Sequence, residues 1–412
     1  MKLIEHLKNS SVDQRISQAR ALSELGNALR YLVLPLAVFA VRSSASDLVI
    51  AEILETLGFI LAGILAPLII DRLPKLFSLV AFDVASLLVT VLLALGIYLD
   101  SLPVLFIGSF LMTFTDTFHS SSLSAVTADF SSGSGISIAK GFSYLQFLIL
   151  LSGLIGSAIA SALVNRTPLY ALLIIDGVTF LIASAWIFSI ASKYIAKNRE
   201  VSVAKSSASL SALLRDWREG YVFTIRNREV YSLIFSQAIV GVAHGLMSTS
   251  TISHHKTVFQ VSDSKVGIAQ TMNKVFAFIG AAVRLRSVES PEASMRLGTR
   301  MMTLGYFLMS IFPYFGFVIA NGLQQFGNAL LSPTNRALTM ESTPTELRGR
   351  IAAFRGLAID IGILLGNLMA LAIVATVGTR FIFLLSALFT GCTLLLIGHG
   401  SQAKLIVQPA RN

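Results

Sequence analysis

The chain has 412 residues, 54% of them apolar and only 13% charged, with a mean hydropathy of +0.74. A soluble domain of this size would lack the polar surface to stay in water, so composition excludes an ordinary soluble enzyme and points to a polytopic membrane protein. The formal net charge of +10 then reads as basic loops beside a membrane, and no nucleic-acid partner is expected.

Apolar runs of about 20 residues or more recur, the length needed to cross a hydrocarbon core of about 30 Å as an α-helix. In chain order they predict helices over 18–42, 46–70, 77–99, 103–125, 141–164, 168–192, 230–252, 265–285, 298–314, 315–338, 350–376 and 379–399. The stretch Lys2–Gln18 ahead of the first run is polar and amphipathic, with no small-residue cleavage site after it. No secretory signal is therefore expected, and the N-terminus should lie in the cytoplasm. The least marked pair is 298–338, where Pro313 is the only turn signal between a short ninth helix and a tenth; without it the count is eleven. Twelve spans place most of the 32 basic residues in inner segments, the remainder lying in outer loops or within spans. That bias favours the even count, with both termini on the cytoplasmic side of the inner membrane and lipid around the spans.

The longest polar stretch, Lys193 to Glu229, separates six spans from six. The expected architecture is an all-α membrane protein of twelve transmembrane helices in two pseudo-symmetric halves, 1–192 and 230–412, joined by a linker over 193–229. Within the linker, Leu210, Leu213, Leu214, Trp217 and Tyr221 follow helical spacing, which predicts a helix along the membrane surface. It serves either as a tether or as a regulatory element. The halves also echo one another: Thr127-Ala128-Asp129 corresponds to Thr339-Met340-Glu341, Gly153 to Gly366 and Thr167 to Thr379 at a nearly constant offset. Two such halves around a site near the bilayer midplane are a known transporter arrangement.

Chemistry is expected where polar groups sit at membrane depth, because a charge there costs several kcal/mol without a partner or a cavity. In the first span, Glu24, Asn27 and Arg30 lie near one helix face at intervals of three. Arg30 needs an acid from another span or an anionic substrate, and Glu52 and Glu55 are the candidates. The alternative is a structural ion pair that carries no cargo. Thr113, Asp116, Thr117, Ser120 and Ser124 make a polar stripe on the fourth span, read as a substrate cavity or as a hydrogen-bonded seam, with His119 three residues from Asp116. Later spans offer amides: Gln237, Asn273, Asn321, Gln324, Gln325, Asn328 and Asn367, with His244, Lys274 and Asp360 among them. Amides orient polar substrates at less desolvation cost than ions. Asp116 is the expected proton-coupling acid, its ionisation set by His119 or Arg30, with Glu24, Glu55 and Asp360 next in line.

No cofactor or metal is expected. The single cysteine, Cys392, permits neither a disulfide nor a thiolate site within one chain, and it reads as a small core residue. His254 and His255 read as a loop pair without a spaced third ligand. No phosphate-binding Gly-x4-Gly-Lys-Ser/Thr loop is present, so the chain is not expected to hydrolyse ATP.

Several segments resemble the efflux branch of the major facilitator superfamily, which includes macrolide pumps and the enterobactin exporter. They are Leu22–Ala28 with Leu34-Pro35-Leu36 in the first span, Asp71-Arg72-Leu73-Pro74-Lys75 with Asp83 beyond, and Pro344-Thr345-Glu346-Leu347-Arg348-Gly349-Arg350 before the eleventh. The sequence departs from the pattern at Pro67 and Pro74, where glycines are usual, and at Asn27, where an aspartate is common. The resemblance implies a monomeric secondary transporter and not an enzyme, exporting a drug-like or siderophore-like small molecule against protons. It also implies gating contacts at Asp71, Arg72 and Lys75, and a second set at Glu346, Arg348 and Arg350. The same fold would serve an importer or uniporter, because alternating access is reversible. A membrane sensor is a third reading, for which no signalling domain is evident.

Overall fold

A computed structural model describes residues 12–70, 73–133, 138–197, 210–286, 290–344, 347–374 and 376–406. Among these residues there are thirteen α-helices: α1 (Val12–Arg42), α2 (Ala45–Ile70), α3 (Lys75–Tyr98), α4 (Leu102–Gly133), α5 (Ile138–Leu163), α6 (Leu169–Lys197), α7 (Leu210–Arg226), α8 (Arg228–Ser253), α9 (Asp263–Arg286), α10 (Pro291–Ile311), α11 (Tyr314–Glu341), α12 (Arg348–Val374) and α13 (Thr379–Ile406). Ten are long and apolar enough to cross a membrane. Of the other three, α7 is an amphipathic helix of 17 residues. α10 and α11 have 21 and 28 residues, but Arg296 and Arg300 in one and the amides 321–328 in the other dilute their apolar character. Phe312 and Pro313, both extended, separate them.

Local chemistry sets several boundaries. Asn227 Oδ1 accepts from the backbone N–H groups of Glu229 and Val230 at 3.1 and 3.2 Å, so the first turn of α8 is capped where α7 ends. Ser290 caps α10 in the same way through Ala293 N, with Pro291 in the first turn, where its missing N–H costs nothing. Tight turns after α1 and α3 put Ser43 and Asp100 in the left-handed region, at φ 52° and 49°.

One correction concerns His254 and His255. They are not in a loop: a π-helical turn, His254–Val258, continues α8, and both rings are buried. His254 Nδ1 lies 2.6 Å from Thr379 Oγ1, and its ring stacks on Phe317 at 5.0 Å. The aromatic neighbours Phe317 and Phe383 belong to distant segments, so local sequence could not reveal the helix's extension. Cys392 also departs from expectation, because it is exposed and not in the core.

The chain divides into two compact units. The first holds residues up to Arg42, Leu57–Ser209 and Ser262–Ile268; the second holds Ser43–Thr56, Leu210–Val261 and the chain from Ala269 onward. Two helices, α2 and α9, are thus shared between the units. In the first unit α1 packs on α4, α5 and α6, and α3 packs on α4 and α6. In the second, α8 packs on α11, α12 and α13, and α10 on α11 and α13. The same scheme therefore recurs, with α8, α10, α11, α12 and α13 in the places of α1, α3, α4, α5 and α6.

Burial along α3 shows which solvent the helices are built for. Ser78, Asp83, Ser86 and Thr90 are buried, whereas Leu88, Val91 and Leu95 are 65%, 54% and 48% exposed. Polar groups inside and aliphatic groups outside is the arrangement hydrocarbon demands. Ser78 pairs with Ser122 at 3.0 Å and Ser86 with Thr115 at 3.3 Å, joining α3 to α4.

Close backbone approach does for α8 and α12 what hydroxyls do for α3 and α4. Gly241 and Gly245 press against the carbonyls of Ile359 and Ile363, and Gly362 and Gly366 press against those of Ala238 and Val242. A Cβ at any of the four would strike main chain, which cannot yield as a side-chain tip does. Gly366→Ala is expected to lower stability by about 1–3 kcal/mol through overpacking, read as a reduced melting temperature in detergent. Gly153→Ala, with no atom within 4 Å of the added methyl, should melt like the parent.

Candidate functional site

In the first unit α1 carries a ladder of polar side chains one turn apart. Arg20 Nη2 meets Glu24 Oε2 at 3.1 Å, Asn27 Nδ2 donates to the same oxygen at 3.1 Å, and Arg30 Nη2 donates to Asn27 Oδ1 at 2.9 Å. Helical spacing of three and four residues makes this ladder possible. Its end is not local: Arg30 Nη2 also reaches Asp116 Oδ2 on α4 at 2.9 Å, and Arg30 Nε lies 3.8 Å from Asp176 Oδ2 on α6. One guanidinium thus joins three helices. Phe180 on α6 and Tyr31 flank it, with ring centres 5.7 and 5.6 Å from its central carbon.

The Arg30 side chain is 3% exposed, that of Asp116 18% and that of Asp176 0%. Asp176 sits against α1 where Gly26 leaves room, since a Cβ at position 26 would run into its carboxylate. Sequence reading missed Asp176. The signal was present, a lone acid amid apolar residues at mid-span, which is the criterion that singled out Asp116.

Two pairings differ from those expected. Arg30 finds acids on α4 and α6, whereas Glu52 on α2 hydrogen-bonds Ser248 in the second unit. Glu55, half-buried, belongs to that second-unit segment as well. His119 does not face Asp116; its Nε2 lies 3.1 Å from Asp83 Oδ1 on α3, both side chains being buried. Residues 116 and 119 lie about 60° apart around a helix of 3.6 residues per turn, and their side chains turn to different neighbours, Asp116 to α1 and His119 to α3. The polar stripe on α4 divides accordingly. Thr113 is buried, Thr117 half-buried, and Ser120 and Ser124 exposed, with Thr117 and Ser124 bonded back to their own helix.

In the second unit Gln324 Nε2 donates to Tyr306 Oη at 3.0 Å, Asn321 is buried beside it, and Asn328 and Asp360 are half-buried. Asn335 was not anticipated. Its amide donates to Leu233 O at 3.0 Å and accepts from Arg355 Nε at 3.3 Å, tying α11 to α8 and α12. Asn367 donates to Thr56 Oγ1 at 3.1 Å, joining α12 to the first turns of α2.

Of the gating residues, Asp71, Arg72 and Glu346 lie outside the described residues, and Lys75 opens α3. Arg348 Nε donates to Met340 O and Thr343 O at 3.1 and 3.3 Å, closing the turn between α11 and α12. Arg350 pairs with Glu219 on α7. That contact, with Gly220 against the Arg350 backbone and Tyr221 edge-on to Phe354 at 5.9 Å, seats α7 on the start of α12. Among the described residues no three His, Cys, Asp or Glu side chains converge as metal ligands would.

Residues 290–404 match the family model of the Major Facilitator Superfamily. No curated protein matches the sequence. Solved structures that superpose on nearly the whole chain include a variant of the nucleoside transporter NupG (TM-score 0.77, 11% identity, 94% of this chain and 99% of that one). The POT family transporter PepTSo follows at 0.73, with 13% identity and coverage of 96% and 98%. A bacterial homologue of the iron transporter ferroportin gives 0.72, with 14% identity and coverage of 95% and 100%. At such identities the likeness is one of fold. Taken with the ten apolar helices, it makes this chain a multi-pass membrane protein with the fold of major-facilitator-type transporters.

Proposed function

We propose that the protein is a secondary active transporter of the major facilitator superfamily, with twelve spans in two halves and both termini cytoplasmic. It acts as a monomer in the inner membrane. By alternating access it exchanges a small molecule for protons, as an exporter of drug-like or siderophore-like compounds. The observation that carries this reading is the buried guanidinium of Arg30 between Asp116 and Asp176, inside a unit whose outer surface is apolar. A purely structural charge at that depth is a poor investment, because an apolar replacement of similar volume generally holds a core at least as well. A charge whose partner changes is what coupling to an ion requires.

Asp116 is the partner best placed to change, being the more exposed of the two acids and on the helix that also presents Ser120 and Ser124. The superposed nucleoside, peptide and iron transporters differ in cargo, so the fold alone favours no substrate. An importer on the same scaffold would use the same acids with the opposite net direction.

Reporter fusions test the layout: fusions at Ser101, Asn165 and Val261 should report outside, and those at Ser131, Ser207 and Ser342 inside. A reversal at any site breaks the alternation. A thermal-shift screen of purified protein against macrolides, siderophores, nucleosides and dipeptides identifies a ligand for the coupling test. With that ligand, Asp116→Asn should keep binding, abolish accumulation driven by a pH gradient in inverted vesicles, and flatten the pH dependence of binding between about pH 5 and 8. Accumulation equal to the parent's would remove Asp116 from the coupling role. Arg30→Met leaves Asp116 without its counter-charge and should cost about 3–5 kcal/mol of stability. Adding Asp116→Asn should return part of the lost melting temperature.

A further inference from the structure

The polar ladder of the first unit has an odd acid. Arg20 pairs with Glu24 at 3.1 Å and Arg30 with Asp116 at 2.9 Å, leaving Asp176 as a third carboxyl against two guanidinium groups. Asp176 is fully buried, and neither of its oxygens has a hydrogen-bond partner among the described residues. Its contact with Arg30 Nε, at 3.8 Å, is beyond the length of a charge-assisted hydrogen bond, about 2.7–2.9 Å. Among the described residues, the helices packed on α6 bring only Arg20 as a further cation acting on Asp176. From α1 the charged groups that act on Asp176 are Arg30, Arg20 and Glu24, and from α4 Asp116. From α3, Leu87 and Thr90 face the neighbouring Gly177, and Asp83 is held by His119. An ionised carboxylate so enclosed and so poorly bonded would carry a desolvation cost of several kcal/mol with little return.

We infer that Asp176 is a proton-binding site, loaded in the arrangement seen here, and that Arg30 is the group that unloads it. This rests on the transport reading above and assigns it a second acid. The guanidinium is equipped for the exchange: Nη2 is committed to Asp116 and Asn27, Nε points to Asp176, and Nη1 has no hydrogen-bond partner among the described residues. When substrate or a rearrangement weakens the Asp116 bond, Arg30 needs to travel only about an ångström to complete a hydrogen-bonded pair with Asp176. The O–H bond of Asp176 then breaks, its proton leaves on water reaching the site, and the guanidinium stays protonated throughout. Asp116, released from Arg30, becomes free to take a proton or a polar cargo group. The two acids thus share one cation, so that one is paired while the other is neutral.

Infrared difference spectroscopy of the purified full chain reads the proton directly, without a substrate or a transport assay. Near neutral pH the parent should show the carbonyl stretch of a protonated carboxyl, shifted in D2O; it should be lost in Asp176→Asn, kept in Asp83→Asn and diminished in Asp116→Asn, which frees Arg30 to pair with Asp176. Because the neutral amide imitates the loaded acid, Asp176→Asn should melt close to the parent, whereas Arg30→Met should not. A band that survives Asp176→Asn, or disappears with Asp83→Asn instead, overturns the assignment. So does a parent without the band, above all one whose melting temperature rises with NaCl and not with choline chloride, since an inorganic cation would then fill the place of the proton. Failure of the vesicle assay with an intact band would count against proton-coupled transport and leave the site at Asp176 standing.

Discussion

A guanidinium in the middle of a helix unit whose outer surface is leucine, valine and phenylalanine has to be answered from within the protein, and Arg30 is answered by three helices at once. Asn27 on its own helix and Asp116 on α4 accept its hydrogen bonds, while Asp176 on α6 lies beyond hydrogen-bond length at 3.8 Å. Charge-assisted hydrogen bonds contribute about 1.5–3 kcal/mol each, comparable to the effective cost of bringing such charges out of water. The arrangement is therefore close to balance, and a small change at one acid shifts the guanidinium toward the other. That near-balance is what the proposed coupling would use, where a rigidly favourable pair would only brace the helices.

The rest of the first unit holds these three helices at fixed spacing without using charge. Gly156 on α5 accepts the backbone of α1 at Leu25, and Gly26 opens a recess on α1 for Asp176. The α3–α4 contact is hydroxyl to hydroxyl, with the His119–Asp83 pair between its two serine and threonine pairs along α4. In hydrocarbon there is no hydrophobic drive to bring helices together, so association relies on small residues and interhelical hydrogen bonds. The second unit repeats the scheme with different chemistry. Its α8–α12 contact is made of four glycines, and amides take the place of ions, with Asn335 joining three helices by its two polar ends. An amide both donates and accepts, so Asn335 can hold the Leu233 carbonyl and the Arg355 guanidinium with one side chain. The interhelical bonds of the first unit thus centre on paired acids and guanidinium groups, and those of the second on amides. At the turn before α12, the pair Arg350–Glu219 attaches the amphipathic α7 to the segment that resembles the superfamily's.

How much of this was legible in the sequence follows from the range of each interaction. Apolar runs and helical spacing are local, and they sufficed for an all-helical membrane protein, for the break at Pro313 and for the amphipathic helix before α8. The Glu24–Asn27–Arg30 ladder was legible for the same reason, since its members sit one turn apart on one helix. Arg30's need for an outside acid also followed from sequence, because an arginine at that depth cannot stand alone. Which acids supply it did not. Glu52 and Asp176 are equally plausible by composition and depth, and only the packing of α6 on α1, made possible by Gly26, decides for Asp176. His119 was assigned to Asp116 because they are three residues apart, yet rotation around α4 turns it to Asp83, a residue whose position in sequence suggested a loop motif. His254 and His255 were separated from α8 because their helix continues only by virtue of aromatic partners from α11 and α13. What the sequence determined by itself was therefore the solvent, the helices and the need for a buried counter-charge, all set by residues within a turn or two of one another. The tertiary structure alone decided the partners, because an ion pair in a membrane forms between side chains that packing brings within about 3–4 Å, and packing joins segments far apart in the chain.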